Sequence, residues 1–131
     1  KRQMMNRVGN QRVEGINMNA PVAAGELIQK TNMVALNADG YLVKATKKEG
    51  LTVVGIATSD ADNRMGSDGA ETASFQSGGF VFRQDGIKET DLMKTAYIKD
   101  TETVTTSSVS SSRVGKLIEV DGTYATVLIQ P

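Results

Sequence analysis

The sequence predicts an all-β fold: a small barrel of short antiparallel strands and hairpins, with one short helical turn. From Val22 onward, apolar runs alternate with turn residues roughly every eight to twelve positions, as in sandwiches and small barrels. Asp39-Gly40, Gly78-Gly79 and Asp121-Gly122 are dipeptides of the kind that closes two-residue hairpins. The chain has 131 residues, 39% of them hydrophobic, and no cysteine, which predicts one core without disulfides.

An extended arm is expected over residues 1–20, followed by a single β domain over residues 21–131. The arm is polar and ends at Ala20-Pro21. Its four cations all precede the first acidic residue, Glu14; they are Lys1, Arg2, Arg7 and Arg12. Over the whole chain fifteen basic residues balance fifteen acidic ones, which disfavours a general nucleic-acid-binding surface. No stretch is apolar for long enough to span a membrane.

The first half of the domain predicts a hairpin and a kinked strand. The hairpin turns at Asp39-Gly40 and would place four side chains on one face: Val34, Leu36, Tyr41 and Val43. Thr52 to Thr58 is a β-branched run interrupted by Gly55. We expect a bulge or a close backbone approach at that glycine.

The phenylalanines flank the Gly78-Gly79 dipeptide. If these glycines form a two-residue turn, Phe75 faces Phe82 and all three rings, with Phe80, project from one side of a ribbon. We expect that face to be buried against another sheet. The alternative is an exposed aromatic patch, which would mark an interface.

The last third of the chain predicts a helical turn, a short strand and a final hairpin. Thr90 is expected to cap the turn through Met93, and a strand follows over residues 96–99. The Ser/Thr-rich stretch 101–112 is interpreted as a mobile loop or an edge strand. Pairing Val120 with Thr123 would place six apolar side chains on one core face: Val114, Ile118, Val120, Ala125, Val127 and Ile129.

The residue types do not favour catalysis or a cofactor. The chain contains no His and no Trp. A nucleophile within the serine run 107–112 would need a lysine base, and nothing places one beside a particular serine. Asp/Glu pairs could hydrolyse glycosides, but there is no tryptophan platform for a sugar. We therefore predict a protein that is not an enzyme.

The longest predicted loop, residues 59–71, is a candidate contact loop. Asp60, Asp62 and Glu71 echo the first, third and twelfth positions of an EF-hand loop, but Arg64 and Met65 occupy the fifth and sixth positions, where a ligand and a glycine belong. A solvated acidic loop is therefore favoured over a metal site. As a contact loop it would use Asp60, Asp62, Asn63 and Arg64, because rigid scaffolds often display binding residues on loops.

The basic arm is the strongest candidate for binding. An unanchored terminus is usually disordered; alternatively, the arm adds as a strand to the sheet edge of another chain. In that case its arginines would meet acidic side chains, and its methionines would adapt to an uneven apolar groove. The binding residues would be Arg2, Met4, Met5, Asn6, Arg7, Val8 and Arg12.

Five segments between residues 20 and 131 resemble, in their order, the capsid decoration (cement) proteins of tailed bacteriophages. The resemblance is one of order and composition, without an invariant motif. The segments are AGELIQKTNMVALNADGYLVKAT, VVGIATSDAD, SGGFVFRQDG, DLMKTAYIKDTETVTT and VGKLIEVDGTYATVLI.

The resemblance implies a β-tulip type of barrel on the outer capsid surface of a virion, made in the host cytoplasm. Such proteins commonly sit as trimers at three-fold positions and stabilise the head by clamping neighbouring major capsid subunits. The implied partners are the major capsid protein and further copies of this chain, with no direct nucleic acid and no membrane. The arm that joins the capsid protein corresponds to residues 1 to about 19. The alternatives are a tail or head-fibre-base barrel and a small ligand- or carbohydrate-binding module.

Overall fold

The computed structural model describes residues 15–130, and these residues form short strands joined by turns. The strands are β1 (Asn17–Pro21), β2 (Leu27–Ile28), β3 (Met33–Leu36), β4 (Leu42–Lys44), β5 (Thr52–Ala57), β6 (Ala61–Asp62), β7 (Thr72–Gln76), β8 (Gly78–Asp85), β9 (Thr95–Asp100), β10 (Thr103–Thr105), β11 (Arg113–Val120) and β12 (Tyr124–Ile129). One 3₁₀ turn, Glu89–Asp91, is the only helical element within residues 15–130. The predicted all-β class with a single helical turn is confirmed.

Two sheets and a small ribbon make up the architecture. Five strands form an antiparallel sheet in the order β1-β7-β5-β3-β4. Five others close into a barrel in the order β10-β8-β12-β11-β9, with one parallel pair, β10 and β8. Strands β2 and β6 form a separate antiparallel ribbon. The predicted small barrel is present, but it takes only the later part of the chain.

The five-stranded sheet separates two hydrophobic clusters. Met33 and Ala35 of β3 pack with the barrel interior, which contains Phe82 and Leu117. Val34, between them in sequence, packs with the other cluster. All three β3 residues are fully buried, and successive side chains of a strand point to opposite faces. The strand β3 is therefore buried on both sides.

Gly55 marks the point where β7 separates from β5. The two strands pair only at Ile56–Gln76 and Ala57–Phe75, after which the chain leaves the sheet for the barrel. A Cβ on Gly55 would lie 2.1 Å from the carbonyl oxygen of Gln76. The register with β3 also shifts at this level. Both expectations for Gly55, a bulge and a close backbone approach, are confirmed.

The predicted Gly78-Gly79 hairpin is wrong. β7 pairs with β1 and β5, whereas β8 pairs with β12 and β10. The glycine stretch passes close to other backbone instead of turning: a Cβ on Gly78 would lie 3.4 Å from the Cα of Gly15. Phe75 consequently does not share a face with the other two rings, whereas Phe80 and Phe82 both pack with the barrel cluster. Phe75 is buried in the cluster beyond the sheet and Phe82 in the barrel cluster, so both are core residues.

The other two predicted hairpins exist with longer turns. Leu36 pairs with Leu42, so Val34 lies opposite Lys44, one position from the predicted register. Val120 pairs with Ala125 instead of Thr123.

The same hydrogen-bonding device lengthens both turns. Asn37 Oδ1 accepts the N–H groups of Asp39 and Tyr41, both at 3.0 Å. The carboxylate of Asp121 accepts those of Thr123 and Tyr124, both at 2.8 Å. These two hydrogen bonds stabilise the charged carboxylate and so lower the pKa of Asp121; the bond from the Tyr124 N–H has the larger effect and that from the Thr123 N–H the smaller.

A bulge in β11 corrects the predicted core face of the last hairpin. Leu117 pairs with Val127 and Glu119 with Thr126, so Ile118 is the extra residue. Leu117 is fully buried, and Ile118 is 42% exposed. The predicted face holds for four other residues that are buried: Val114, Ala125, Val127 and Ile129.

The region between the 3₁₀ turn and β11 also differs in detail. The helical turn begins at Glu89, earlier than predicted, and the Asp91 carboxylate accepts the Lys88 N–H at 2.8 Å. The predicted strand over 96–99 lies within β9. Residues 103–105 are neither a mobile loop nor an edge strand, because β10 pairs on both sides within the closed barrel and Val104 is fully buried.

We expect Gly55→Ala to lower the free energy of unfolding by about 2 kcal/mol or more, because its Cβ would overlap backbone that cannot shift alone. Gly122 has nothing within 4 Å of the corresponding position, so Gly122→Ala should stay within about 0.5 kcal/mol of the unaltered protein. Urea unfolding followed by circular dichroism measures both. Equal losses in the two variants would contradict the close-approach explanation.

Phe82→Ala should cost about 3–5 kcal/mol, since its ring fills the barrel interior. The neighbouring side chain of Val81 points outward and is 65% exposed, so Val81→Ala should change stability by about 0.5 kcal/mol or less. Thermal and urea unfolding of the two variants give the comparison. A loss below about 1 kcal/mol for Phe82→Ala would show that the barrel interior does not depend on this ring.

Candidate interaction surfaces

Strand β1 is an open edge of the five-stranded sheet. It pairs with β7 from Asn17–Gln76 to Pro21–Thr72, and no strand of the described residues pairs along its other side. Ile16, Asn17 and Asn19 are exposed. The last residues of the predicted arm thus belong to the sheet, and they present an unpaired strand edge.

The start of β1 is fixed at the junction of sheet and barrel. The Ile16 N–H donates to Ser77 Oγ at 3.3 Å, and the Ser77 N–H donates to the Ile16 carbonyl at 3.0 Å. Gly15 lies against Gln76 and Gly78. Residues 1–14 therefore connect to the body at a defined point, next to the open edge.

The arm residues predicted to bind lie outside the described residues. They are Arg2, Met4, Met5, Asn6, Arg7, Val8 and Arg12.

The predicted contact loop presents an ion pair to solvent. Arg64 Nε donates to Asp62 Oδ1 at 2.9 Å and Arg64 Nη2 to Asp62 Oδ2 at 2.7 Å. These side-chain hydrogen bonds, together with a further one from the backbone N–H of Arg64, lower the pKa of Asp62 to about 2. The Asp60 carboxylate accepts a hydrogen bond from the Lys30 N–H at 2.8 Å, and Asp60 is exposed. Three of the four predicted contact residues, Asp60, Asp62 and Arg64, lie together on the surface.

Asn63, the fourth predicted contact residue, holds the loop from inside. It is only 1% exposed. Its Nδ2 donates to the carbonyls of Val22, Ala23 and Ser67 at 2.9–3.1 Å, while Oδ1 has no hydrogen-bond partner. A Cβ on Gly66 would lie 2.2 Å from that oxygen. Asn63 therefore positions the loop and is not available to a partner.

The outer face of the barrel carries an apolar patch that was not predicted from the sequence. Val81, Ile118 and Tyr124 are 65%, 42% and 45% exposed. Val81 lies opposite Thr126, two residues from Tyr124 on the same side of β12, and the Ile118 side chain reaches Gly79. We call these three residues the outer barrel patch. The bulge in β11 exposes Ile118, and simple alternation does not reveal such a shift.

The described residues do not bring together groups suited to metal binding. Within residues 15–130 there is no group of three or more His, Cys, Asp or Glu side chains that could hold a metal ion. The buried hydroxyls of Ser111 and Ser112 donate to the carbonyls of Ile98 and Lys48.

Within residues 15–130, no helix has the length and apolar character needed to cross a membrane.

Comparison with known proteins finds no matching family model, no matching curated protein and no matching solved structure.

Arg64→Ala should raise the pKa of Asp62 from about 2 toward its ordinary value of 3.8. Because the folded pKa is the lower one, the pair contributes stability above about pH 4, and that contribution is lost as the pH falls through about 2. A ¹³C NMR titration of the Asp62 carboxyl measures the shift. Arg83→Ala, on the barrel, is the control and should leave this titration unchanged.

Proposed function

We propose that the protein is a virion structural protein that binds the outer surface of a phage capsid and clamps neighbouring major capsid subunits. The observation that supports this most directly is the open edge of β1. This strand comes immediately after the cationic segment 1–14 in the sequence. The resemblance of five ordered segments to decoration proteins supplies the partner.

Strand addition is the physical basis of the proposed attachment. An unpaired edge offers a row of backbone N–H and C=O groups to another chain, and a protein must either protect such an edge or use it. The arm would pair as a strand with a sheet edge of the capsid protein, and the open edge of β1, into which the arm leads, would extend that pairing. Arg2, Arg7 and Arg12 would add contacts with acidic capsid side chains.

Several copies acting together would make the clamp strong. In a trimer, the first engagement makes the next ones intramolecular, so modest contacts give high avidity. The outer barrel patch offers an apolar surface for contact between copies. The closed barrel has no free strand edges, so unwanted pairing on that side is avoided.

Deletion of residues 1–12 should abolish attachment to capsids. Purified protein would be titrated onto undecorated, expanded capsids of the parent phage and then co-sedimented. We expect saturation at the number of three-fold sites for the full chain, and background binding for the deletion. The deletion leaves β1 intact, so its circular dichroism spectrum should match that of the full chain.

A scrambled arm is the matched control. It keeps the composition and charge of residues 1–12 but changes their order, so it separates strand addition from simple charge attraction. Retained binding of the scrambled arm would indicate attraction alone. Absence of binding by the folded full chain would contradict the capsid function.

A further inference from the structure

A groove of about 410 Å³ lies between β5 and the barrel. Thr52 and Val53 line one side, and Arg113, Lys116 and Leu128 line the other. We propose that this groove binds an extended segment of a partner protein with acidic side chains at every second position. The proposal does not depend on the capsid function, because it rests on separate residues.

The groove contains an unpaired strand edge. β5 pairs with β3 on one side, and on its other side it pairs with β7 only at Ile56 and Ala57. From Thr52 to Val54 no strand of the described residues pairs along that second side. An extended peptide could therefore continue the sheet there through backbone hydrogen bonds.

The groove also carries two unpaired cations. Arg113 and Lys116 are exposed, and neither forms a salt bridge with another described residue. Among residues 15–130, no carboxylate side chain lines the groove. Such a surface favours a negatively charged occupant over a neutral one.

The spacing of the two cations fits alternate residues of a strand. A shift in the pairing of β11 with β9 leaves Val114 and Gly115 both buried between the two exposed cations. Arg113 pairs with Tyr97 and Lys116 with Thr95. The cations are therefore two strand positions apart, about 6–7 Å, which matches carboxylates at positions i and i+2 of an extended peptide.

The width of the groove is fixed by hydrogen bonds at one end. Ser112 Oγ accepts the N–H of Leu51 at 3.0 Å and donates to the carbonyl of Lys48. These bonds tie the segment before β5 to the start of β11. A preformed site costs less ordering on binding than one that must assemble.

Neither charged segment of this chain suits the groove as well as a separate partner does. The arm is cationic, so Arg113 and Lys116 would repel it. The acidic loop has three of its four carboxylates engaged already: Asp62 by Arg64, Asp60 by the Lys30 N–H and Asp68 by the Ala24 N–H. An extended acidic segment of another protein fits the charge and the open edge together.

Fluorescence anisotropy with a synthetic peptide tests this assignment. The probe is fluorescein-Thr-Glu-Val-Glu-Val-Glu-Thr-amide, and the comparison peptide, Thr-Glu-Glu-Val-Val-Glu-Thr, has the same composition without the alternation. We expect the alternating peptide to bind the full chain more tightly. Arg113→Glu combined with Lys116→Glu should weaken it by about tenfold or more, and the control Arg83→Glu should leave the affinity within about twofold.

NMR of the unaltered protein locates the peptide independently of any variant. Amide shifts confined to Thr52–Val54 and Arg113–Lys116 are expected. Shifts at the outer barrel patch, or equal affinity of the double variant, would overturn the proposal. Tighter binding of an oligothymidylate to the same residues would also overturn it, in favour of a nucleic acid.

Discussion

The close passage of Gly55 over the Gln76 carbonyl determines the architecture of this protein. A side chain at that position could not fit, and at this level β7 separates from β5 and the chain enters the barrel. Three features follow from this separation. Phe75 and Phe82 lie in different clusters, the N-terminal half of β5 has an open edge, and β1 begins at the junction. Both proposed interaction sites lie beside this one backbone contact.

Local patterning was sufficient to predict the fold class and part of the core. Alternation identified Ala125, Val127 and Ile129 as core residues, since the side-chain period of a strand follows from its geometry. The exact register was not accessible in this way. It depends on the Asx turns of Asn37 and Asp121 and on the bulge at Ile118, and each of these adds residues that a two-residue turn or a regular ladder would lack.

The candidate interaction sites were predictable only where a signal lay within one segment. Charge alone singled out the arm, and composition singled out the loop that contains Asp62 and Arg64. The burial of Asn63 depends on carbonyls about forty residues earlier in the chain, which no local pattern reveals. The groove is less predictable still, because it lies where β7 no longer pairs with β5 and where the pairing of β11 with β9 shifts.

The distribution of charge explains how both sites could select acidic partners. Residues 15–130 hold eleven Lys and Arg against fourteen Asp and Glu, a net charge of −3. An acidic partner is therefore weakly repelled by residues 15–130 as a whole and attracted only where positive charges cluster locally. The arm and the pair Arg113 and Lys116 are two such clusters, and each lies next to an unpaired strand edge. Charge would then guide the approach, and backbone pairing would fix the register and orientation of the bound strand.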